Sequence, residues 1–324
     1  MEILHLLIQA LVYPGLLFTI VLIIFTQWIS RKLSARLQFR RGPVHAGPAG
    51  LLQPLADLLK LVSKKDLINK YSLRLSPILA ICFAIGLIIV AQLVLPVAYY
   101  PLQASFDFIV ILYSLLVIPF SLAYLSLAHP NPYANIGAAR YLALLAVSEP
   151  VYAISLFVPV IISSRYFGAE YSLYLATVNS RNSWLVSPSK TAAMFVALIV
   201  SFTAMLAILM TKPFDTPEAE SEIYWGIFTE LGGPRLALGF FLKFAERIVY
   251  PLIFSALFLG GTYPFQPEFT IQGAMTLYLK TIGVFAAITI LDNILPRYKP
   301  EQAVKFILKY LYPLAIFSLV LASI

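Results

Sequence analysis

"LLIQALVYPGLLFTIVLIIFTQWI", residues 6–29, contains no charged side chain over 24 positions. A helix needs about 20 mostly apolar residues to cross the hydrocarbon core of a bilayer, so this stretch is long enough to span one. The whole chain has the same character, with 60% hydrophobic and 12% charged residues and a mean hydropathy of +0.86. Soluble domains carry about 25% charged residues. The sequence therefore predicts an all-α integral membrane protein.

Seven further stretches satisfy the same length rule. The eight predicted transmembrane helices cover about 6–29, 76–98, 107–128, 138–163, 190–211, 235–260, 274–291 and 304–323. The loops between most of them are short, and no internal repeat divides the chain into the inverted halves of many transporters. Residues 1–324 are accordingly predicted to form a single membrane domain. The missing repeat also disfavours one functional hypothesis, that the chain is an independent ion or solute transporter.

The loops alternate in charge. Ten of the 23 Lys and Arg residues lie between Arg31 and Arg74, in the first loop, and the second and sixth loops hold none. The fourth loop is the exception, because it carries Arg165 and Arg181. The positive-inside bias predicts a plasma-membrane protein whose N-terminus is outside and whose odd-numbered loops are cytoplasmic. The same bias explains the net charge of +8, so no nucleic-acid partner is expected.

The first cytoplasmic loop is predicted to contain a helix of its own. In "PAGLLQPLADLLKLVS", residues 48–63, the apolar side chains recur at helical spacing. They are Leu51, Leu52, Leu55, Leu58, Leu59 and Val62. An amphipathic helix of this kind lies in the membrane interface, with one face in lipid or against the helix bundle.

The chain offers few ligands for a cofactor. Its one cysteine, Cys82, lies in an apolar run, and its three histidines, His5, His45 and His129, are far apart in sequence. An iron–sulfur cluster or a zinc site needs several such residues at short spacing. No metal, redox centre or other cofactor is therefore predicted in this chain, and no catalytic residue is assigned.

Carboxylates are concentrated in "TKPFDTPEAESEIYWGIFTE", residues 211–230. This acidic loop contains five of the 15 Asp and Glu residues: Asp215, Glu218, Glu220, Glu222 and Glu230. Thr216 followed by Pro217 predicts an N-cap and a first helical residue. On such a helix Glu218 and Glu222, four residues apart, would share a face and repel each other, which favours coupled proton binding.

Charged residues also occur inside predicted spans, where each costs about 2.5–3.5 kcal/mol on insertion scales. Glu149 lies near mid-membrane in the fourth span, and Lys243, Glu246 and Arg247 share a face of the sixth. The functional hypothesis is a line of titratable groups that runs from the acidic loop into the membrane. The alternative is a set of paired charges that only holds the helices together. Prolines that could open the helices along such a line are Pro119, Pro150, Pro159 and Pro251.

Three long motifs carry a family resemblance. "ARLQFRRGPVHAGPAGLLQPLADLLKLVSKKD" (35–66) resembles the first-loop signature of the H (ND1) subunit of respiratory complex I. "KPFDTPEAESEI" (212–223) resembles that family's acidic loop, and "LPRYKPEQAVKFILKYLYPLA" (295–315) its final loop and span. "HPNPYANIGAARYLALLAVSEP" (129–150) is similar to the H-like subunits of energy-converting membrane-bound [NiFe] hydrogenases and their sulfur-reducing relatives.

The resemblance implies a membrane anchor and coupling subunit, without a cofactor of its own. Its expected partners are an iron–sulfur small subunit and a [NiFe]-like large subunit, which carry the iron–sulfur clusters and the [NiFe] centre of a peripheral arm. Antiporter-like membrane subunits that move H⁺ or Na⁺ complete the complex. The resemblance assigns coupling to Glu149, Asp215, Glu218, Glu220 and Glu222. It assigns docking of the arm to three first-loop residues, Arg36, Arg40 and Arg41.

Lys243, Glu246 and Arg247 are added to the ion path from their position in the sixth span alone. The second hypothesis is a quinone-site subunit of a complex I-like dehydrogenase, in which the first-loop helix roofs a quinone chamber. Gln27 or Ser30 stands near the place where complex I has a glutamate, and this difference disfavours quinone chemistry.

Overall fold

The computed structural model of the chain describes residues 2–265 and 270–324. Within these ranges the chain forms helices and connecting loops and no strand, so the predicted all-helical architecture is confirmed. In chain order the α-helices are α1 (Glu2–Leu11), α2 (Leu16–Leu37), α3 (Gln53–Ser63), α4 (Ser76–Val94), α5 (Asp107–Leu127), α6 (Pro132–Phe167), α7 (Leu173–Val178), α8 (Ser180–Ser183), α9 (Pro188–Ile208), α10 (Glu220–Ile223), α11 (Gly233–Phe258), α12 (Ile271–Ile294), α13 (Pro300–Phe306) and α14 (Tyr312–Ser323).

Seven spans in the described ranges are long and apolar enough to cross a membrane, counting α1 with α2 and α13 with α14. The predicted sixth span, 235–260, coincides with α11, which has 26 residues and a length of about 39 Å. It is not among the seven. Lys243, Glu246 and Arg247 lie in its middle, so composition alone does not identify it as a span. The count of eight therefore stays a prediction.

The predicted first span, 6–29, differs from the structure at both its middle and its end. The helix is interrupted at residues 12–15, because Pro14 lacks an amide hydrogen and restricts the residue before it. After the break, α2 continues to Leu37, eight residues beyond the predicted end. The predicted span ends at Ile29 because the apolar stretch ends there. The polar residues that follow continue the same helix to Leu37.

An amphipathic helix does occupy the first loop. It is α3, preceded by a 3₁₀ turn at Pro48–Gly50, and it packs against α2 and α11. Asp57 on α3 forms an ion pair with Arg31 on α2 at 2.5 Å, and the Trp28 indole Nε1 donates to the carbonyl of Ala49 at 3.0 Å. These contacts hold α3 at the end of α2, beside the first half of α11.

The centre of the molecule is α6, which has 36 residues and packs against α5, α9 and α14. On its other side α11 packs against α2, α4 and α12, and it also contacts α5, α6 and α9. The tyrosines Tyr141, Tyr152 and Tyr250 are among the largest fully buried side chains, and all three lie on α6 or α11. The interface between α6 and α11 therefore carries buried polar groups as well as apolar ones.

The acidic loop folds back across α6 instead of starting a helix at Pro217. A Cβ atom on Gly137 of α6 would lie 2.7 Å from the amide nitrogen of Ile227, so the loop backbone touches the helix. Residues 217–218 form a turn, and α10 begins only at Glu220. The predicted cap at Thr216 is thus wrong, because packing against α6 overrides the local capping signal. The carbonyl of Thr216 accepts instead from Arg140 at 3.5 Å.

Candidate functional site

One end of the candidate site joins the acidic loop to the end of α12 and to the last loop of the chain. Arg297 donates to the carboxylate of Asp215, and the backbone amide of Lys212 donates to Asp292 at 2.9 Å. Burial raises the pKa of Asp215 from 3.8 to about 6, and the nearby charge of Glu218 adds to the rise, whereas Arg297 opposes it. Asp215 can therefore change charge close to neutral pH.

Glu218 is the next carboxylate inward. Both of its oxygens accept from Lys243 of α11, and the side chains of this ion pair are 12% and 9% exposed. The Lys243 ammonium also lies 5.4 Å from the ring centre of Phe228. A buried ion pair loses hydration, and its mutual attraction offsets that loss only while both partners stay charged and in contact.

Glu222 and Glu218 do not act as a repelling pair, so that part of the prediction is wrong. Glu222 is 46% exposed and accepts from Arg140 of α6 at 2.5 Å, whereas Glu218 points to α11. Glu220 is exposed as well. The acidic loop therefore directs its carboxylates to two different helices and to solvent.

Glu246 lies three residues beyond Lys243, on the same side of α11, and is 1% exposed. The hydroxyl of Tyr141 on α6 lies 3.3 Å from its Oε1 atom and 3.2 Å from the carbonyl of Ile208. Ile208 is the last residue of α9, and the last carbonyls of a helix lack intrahelical donors. Glu246 is thus held by a neutral hydroxyl.

Glu149 of α6 is the last carboxylate of the group and is 6% exposed. The Tyr250 hydroxyl donates to its Oε1 atom at 2.6 Å and lies 3.1 Å from the carbonyl of Leu115 on α5. Tyr152 in turn donates to the backbone carbonyl of Tyr250 at 3.3 Å. Glu149 thus faces α11, and its hydrogen-bond partner there is a tyrosine and not Lys243, Glu246 or Arg247.

The predicted residues therefore fall into a connected part and a separate part. The connected part leads from Asp215 in the acidic loop through Glu218, Lys243 and Glu246 to Glu149. Glu218 and Lys243 form an ion pair, and electrostatic interactions join Asp215 to Glu218 and join Glu246 to Lys243 and Glu149. Glu220 and Glu222 form the separate part. Lys243, Glu246 and Tyr250, at spacings of three and four residues, form one stripe on α11. Arg247 lies beside this stripe, and its buried Nε atom makes no hydrogen bond within the described ranges.

Sequence reasoning missed the neutral members of this group. Tyr141, Tyr152 and Tyr250 count as apolar in a hydropathy reading, and Arg297 belongs to the last loop. A signal for Tyr250 does exist, because it follows Glu246 by four residues and so shares its helix face. Tyr141 and Tyr152 offer no such local signal, since their contacts are with residues far along the chain.

The three predicted docking residues come together on the surface. Arg36, Arg40 and Arg41 line an open groove with Lys32 and Phe39, where the chain turns back after α2. All three arginines are exposed. The groove thus presents positive charge beside an exposed aromatic ring, and none of its lining residues belongs to the acidic loop.

A second groove lies between α3 and α11, with a volume of about 440 Å³. Its wall is largely apolar and includes Pro54, Leu58, Leu61, Trp225, Phe240 and Phe244. Arg31 and Asp57, which form the ion pair described above, lie at its edge. For metal ligands, residues 2–265 and 270–324 bring together no group of three His, Cys, Asp or Glu side chains.

Comparison with known proteins identifies relatives over almost the whole chain. Residues 10–323 match the family model described as NADH dehydrogenase. The H subunit of the NADH-quinone oxidoreductase of Thermomicrobium roseum is 30% identical over 94% of this chain and 91% of its own length. NADH-ubiquinone oxidoreductase chain 1 of Tolypeutes matacus is 30% identical over 90% of this chain and 88% of its own.

A solved structure shares the fold. It is that of a membrane-bound sulfane sulfur reductase, an archaeal respiratory membrane complex, and it superposes with a TM-score of 0.76 at 24% identity. The match covers 94% of this chain and 96% of the other. Because the family model spans nearly the full sequence and the relatives align from end to end, this multi-span membrane protein belongs to the NADH dehydrogenase family that includes the H subunits of the NADH-quinone oxidoreductases.

Proposed function

We propose that this chain is the membrane anchor and coupling subunit of a respiratory-type complex. It docks a peripheral electron-transfer arm on its cytoplasmic side and transmits the redox energy of that arm to translocation of H⁺ or Na⁺. The observation that carries the proposal is the connected series of ionisable groups, from Asp215 in the cytoplasmic loop to Glu149 within the membrane.

The series suits coupling because the ion pairs of Asp215 and Glu218 depend on the position of the acidic loop. Asp215 and Glu218 sit on a loop, whereas their cations, Arg297 and Lys243, sit on other elements. A movement of the loop would separate these ion pairs and alter the charge that Glu246 experiences. A switch of this kind needs two arrangements with different charge contacts, which a docked arm can favour or disfavour.

The proposed partners are supported by the family membership and by the resemblance of residues 129–150 to the H-like hydrogenase subunits. A sulfane sulfur reductase with this fold is a respiratory membrane complex, and the named relatives are subunits of oxidoreductases. We assign to the arm an iron–sulfur small subunit and a [NiFe]-like large subunit, with the clusters and the [NiFe] centre in those partners. Antiporter-like membrane subunits would carry the ion, and this chain would hold no cofactor.

Replacement of Glu149 by Gln tests the proposal. The amide keeps the shape of the side chain but cannot bind and release a proton, so fold and assembly should persist. Ion uptake per electron should fall about tenfold or more, since the series loses its innermost titratable group. The measurement is ion uptake in sealed vesicles, divided by the electrons that the assembled complex transfers.

Matched variants sharpen the result. Glu301→Gln alters an acid of α13 whose side chain is 86% exposed, and it should leave the ratio nearly unchanged. Glu218→Gln should lower it, because Lys243 then lies buried without its anion. A wild-type ratio in fully assembled Glu149→Gln complexes would exclude the coupling role of Glu149.

A second candidate function, the quinone-site subunit, is favoured by one observation. The apolar groove between α3 and α11 has room for a hydrophobic head group, and α3 forms its roof. Subunits that purify with the chain separate the two candidates. A [NiFe]-like large subunit or a sulfur-reducing arm supports the first, and an NADH-oxidising module with bound quinone supports the second.

A further inference from the structure

Two hydrogen-bond acceptors lie close to the hydroxyl of Tyr250. It carries one hydrogen, yet it lies 2.6 Å from Oε1 of Glu149 and 3.1 Å from the carbonyl oxygen of Leu115. All three groups are buried, and the tyrosine side chain is fully enclosed. Only one of the two acceptors receives a good hydrogen bond at any time.

The Leu115 carbonyl is available because of a proline one turn later. In a regular helix the carbonyl of residue 115 accepts from the amide of residue 119. Residue 119 is Pro119, inside α5, and it has no amide hydrogen. An unpaired carbonyl in an apolar interior is costly, so a hydroxyl aimed at it from another helix is stabilised.

We propose that Tyr250 is a two-position hydrogen-bond switch that reports and stabilises the protonation state of Glu149. When Glu149 is ionised, the tyrosine hydroxyl donates to its carboxylate. When Glu149 takes up a proton, its new O–H donates to the tyrosine oxygen, and the tyrosine hydrogen turns to the Leu115 carbonyl. The tyrosine keeps its own proton in both positions, so one proton enters and no covalent bond of Tyr250 breaks.

The surroundings suit such a switch. The nearest charged groups along α11 are Glu246 and Arg247, one turn before Tyr250, and on α6 the hydroxyl of Tyr141 faces Glu246. Tyr152 of α6 donates to the backbone carbonyl of Tyr250, and the two ring centres lie 5.3 Å apart. Because the Tyr250 side chain is fully buried, its ring is held in place while its hydroxyl hydrogen can rotate. From α5 the contact is a neutral backbone carbonyl. In each position the hydroxyl hydrogen therefore has an acceptor, and the proton on the neighbouring carboxylate decides which one.

This inference rests on the proposed function for its purpose, but its geometry is tested separately. The first experiment uses infrared difference spectra of the assembled complex on a change of pH, with the band of protonated Glu149 identified by its loss in Glu149→Gln. In Tyr250→Phe the acid loses its hydrogen-bond acceptor, so the carbonyl stretch of Glu149 should move to higher wavenumber. Ion uptake per electron should fall about tenfold, the effect of one hydrogen bond to a charged group.

Pro119→Ala tests the second position without touching the tyrosine or the glutamate. The new amide hydrogen at residue 119 would occupy the Leu115 carbonyl and weaken it as an acceptor for Tyr250. The Glu149 band should shift, and uptake per electron should fall by less than in Tyr250→Phe. The matched control is Tyr278→Phe, a buried tyrosine of α12 whose hydroxyl lies 3.5 Å from Gln92 and not near a carboxylate. It should leave both readouts unchanged.

The outcomes are separable. An unshifted Glu149 band in Tyr250→Phe overturns the switch, whatever the uptake. A band shift in Tyr250→Phe but none in Pro119→Ala overturns the second position. A band shift in both variants, together with a wild-type uptake ratio in Glu149→Gln, supports the switch and refutes the proposed function.

Discussion

Individual carboxylates are accommodated in this membrane protein in two ways. In the acidic loop Asp215, Glu218 and Glu222 each form an ion pair with a cation. Deeper in the bundle Glu246 and Glu149 meet neutral tyrosine hydroxyls. A charge in a span costs about 2.5–3.5 kcal/mol, and a hydrogen bond from a neutral donor offsets only part of that. The hypothesis of mutually paired, purely structural charges therefore fits the loop better than the membrane interior.

Asp215 provides a prediction at this scale. Because burial raises its pKa to about 6, the folded chain keeps a proton between pH 4 and 6 that an unfolded chain, with a pKa near 3.8, releases. Stability contributed by this group is therefore present at low pH and declines as pH rises through 6. Asp215→Asn cannot ionise, so wild type should lose thermal stability relative to it between pH 5 and pH 7.

The measurement is the thermal unfolding midpoint of the purified complex at both pH values. Glu220→Gln, on the same loop but exposed, should follow wild type. Curves for wild type and Asp215→Asn that run parallel across this range would contradict the assignment.

At the scale of elements, two residues, Pro119 and Gly137, allow close contacts between elements of the structure. Pro119 frees a carbonyl of α5 for a side chain of α11, and the small side chain of Gly137 lets the acidic loop lie on α6. Neither residue increases the local preference for helix. Both act by giving one element access to the backbone of another, which is the usual role of proline and glycine within membrane helices.

Gly137→Ala tests the contact between α6 and the acidic loop. Its Cβ would lie 2.7 Å from the Ile227 amide nitrogen and 2.8 Å from Gly226, so the loop must move. The expected cost is about 1–3 kcal/mol, as for other overpacked contacts, with faster proteolysis of the loop. Gly283→Ala on α12 is the matched control, because a Cβ there meets nothing within 4 Å. It should be neutral or stabilising by about 0.5–1 kcal/mol. Equal behaviour of the two variants would refute the contact.

At the scale of the whole molecule, the basic groove, the acidic loop and the connected series can be related to the predicted orientation in the membrane. With the predicted orientation, the basic groove of Arg36, Arg40 and Arg41 and the acidic loop both face the cytoplasm, and the connected series leads inward from that side. A peripheral arm docked there would contact the groove and lie close to the loop. This arrangement suits the proposed coupling function, because the redox energy of a docked arm would arrive on one side only.

Replacing Arg36, Arg40 and Arg41 together by Ala should weaken docking of the arm. The attraction between exposed charges is screened by salt, so the variant should release the arm at moderate salt while wild type retains it. Co-purification of the arm over a salt series is the measurement, and membrane insertion should be normal. Lys299→Ala with Lys305→Ala removes two other exposed cations as a control. Retention of the arm with unchanged salt sensitivity would show that it docks elsewhere.

Several features of this protein were determined by sequence alone. Long apolar runs predict the spans, helical spacing in residues 48–63 predicts α3, and three ordered motifs predict the family. Each of these features depends on one continuous stretch of the chain, so no contact with a distant residue is needed to predict it. The interruption at Pro14 also has a local cause, although a hydropathy rule ignores it.

Only the tertiary structure decided which groups meet. Thr216 has a local capping signal that packing against α6 overrides, and Glu222 pairs with Arg140, 82 positions earlier, and not with a neighbour. Tyr250 meets Glu149 across 101 positions, and Tyr141 meets Glu246 across 105. The physical reason is that a hydroxyl on an apolar helix has no preferred partner until another helix presents a carboxylate or a free carbonyl at its own depth. That depth follows from how α5, α6 and α11 pack.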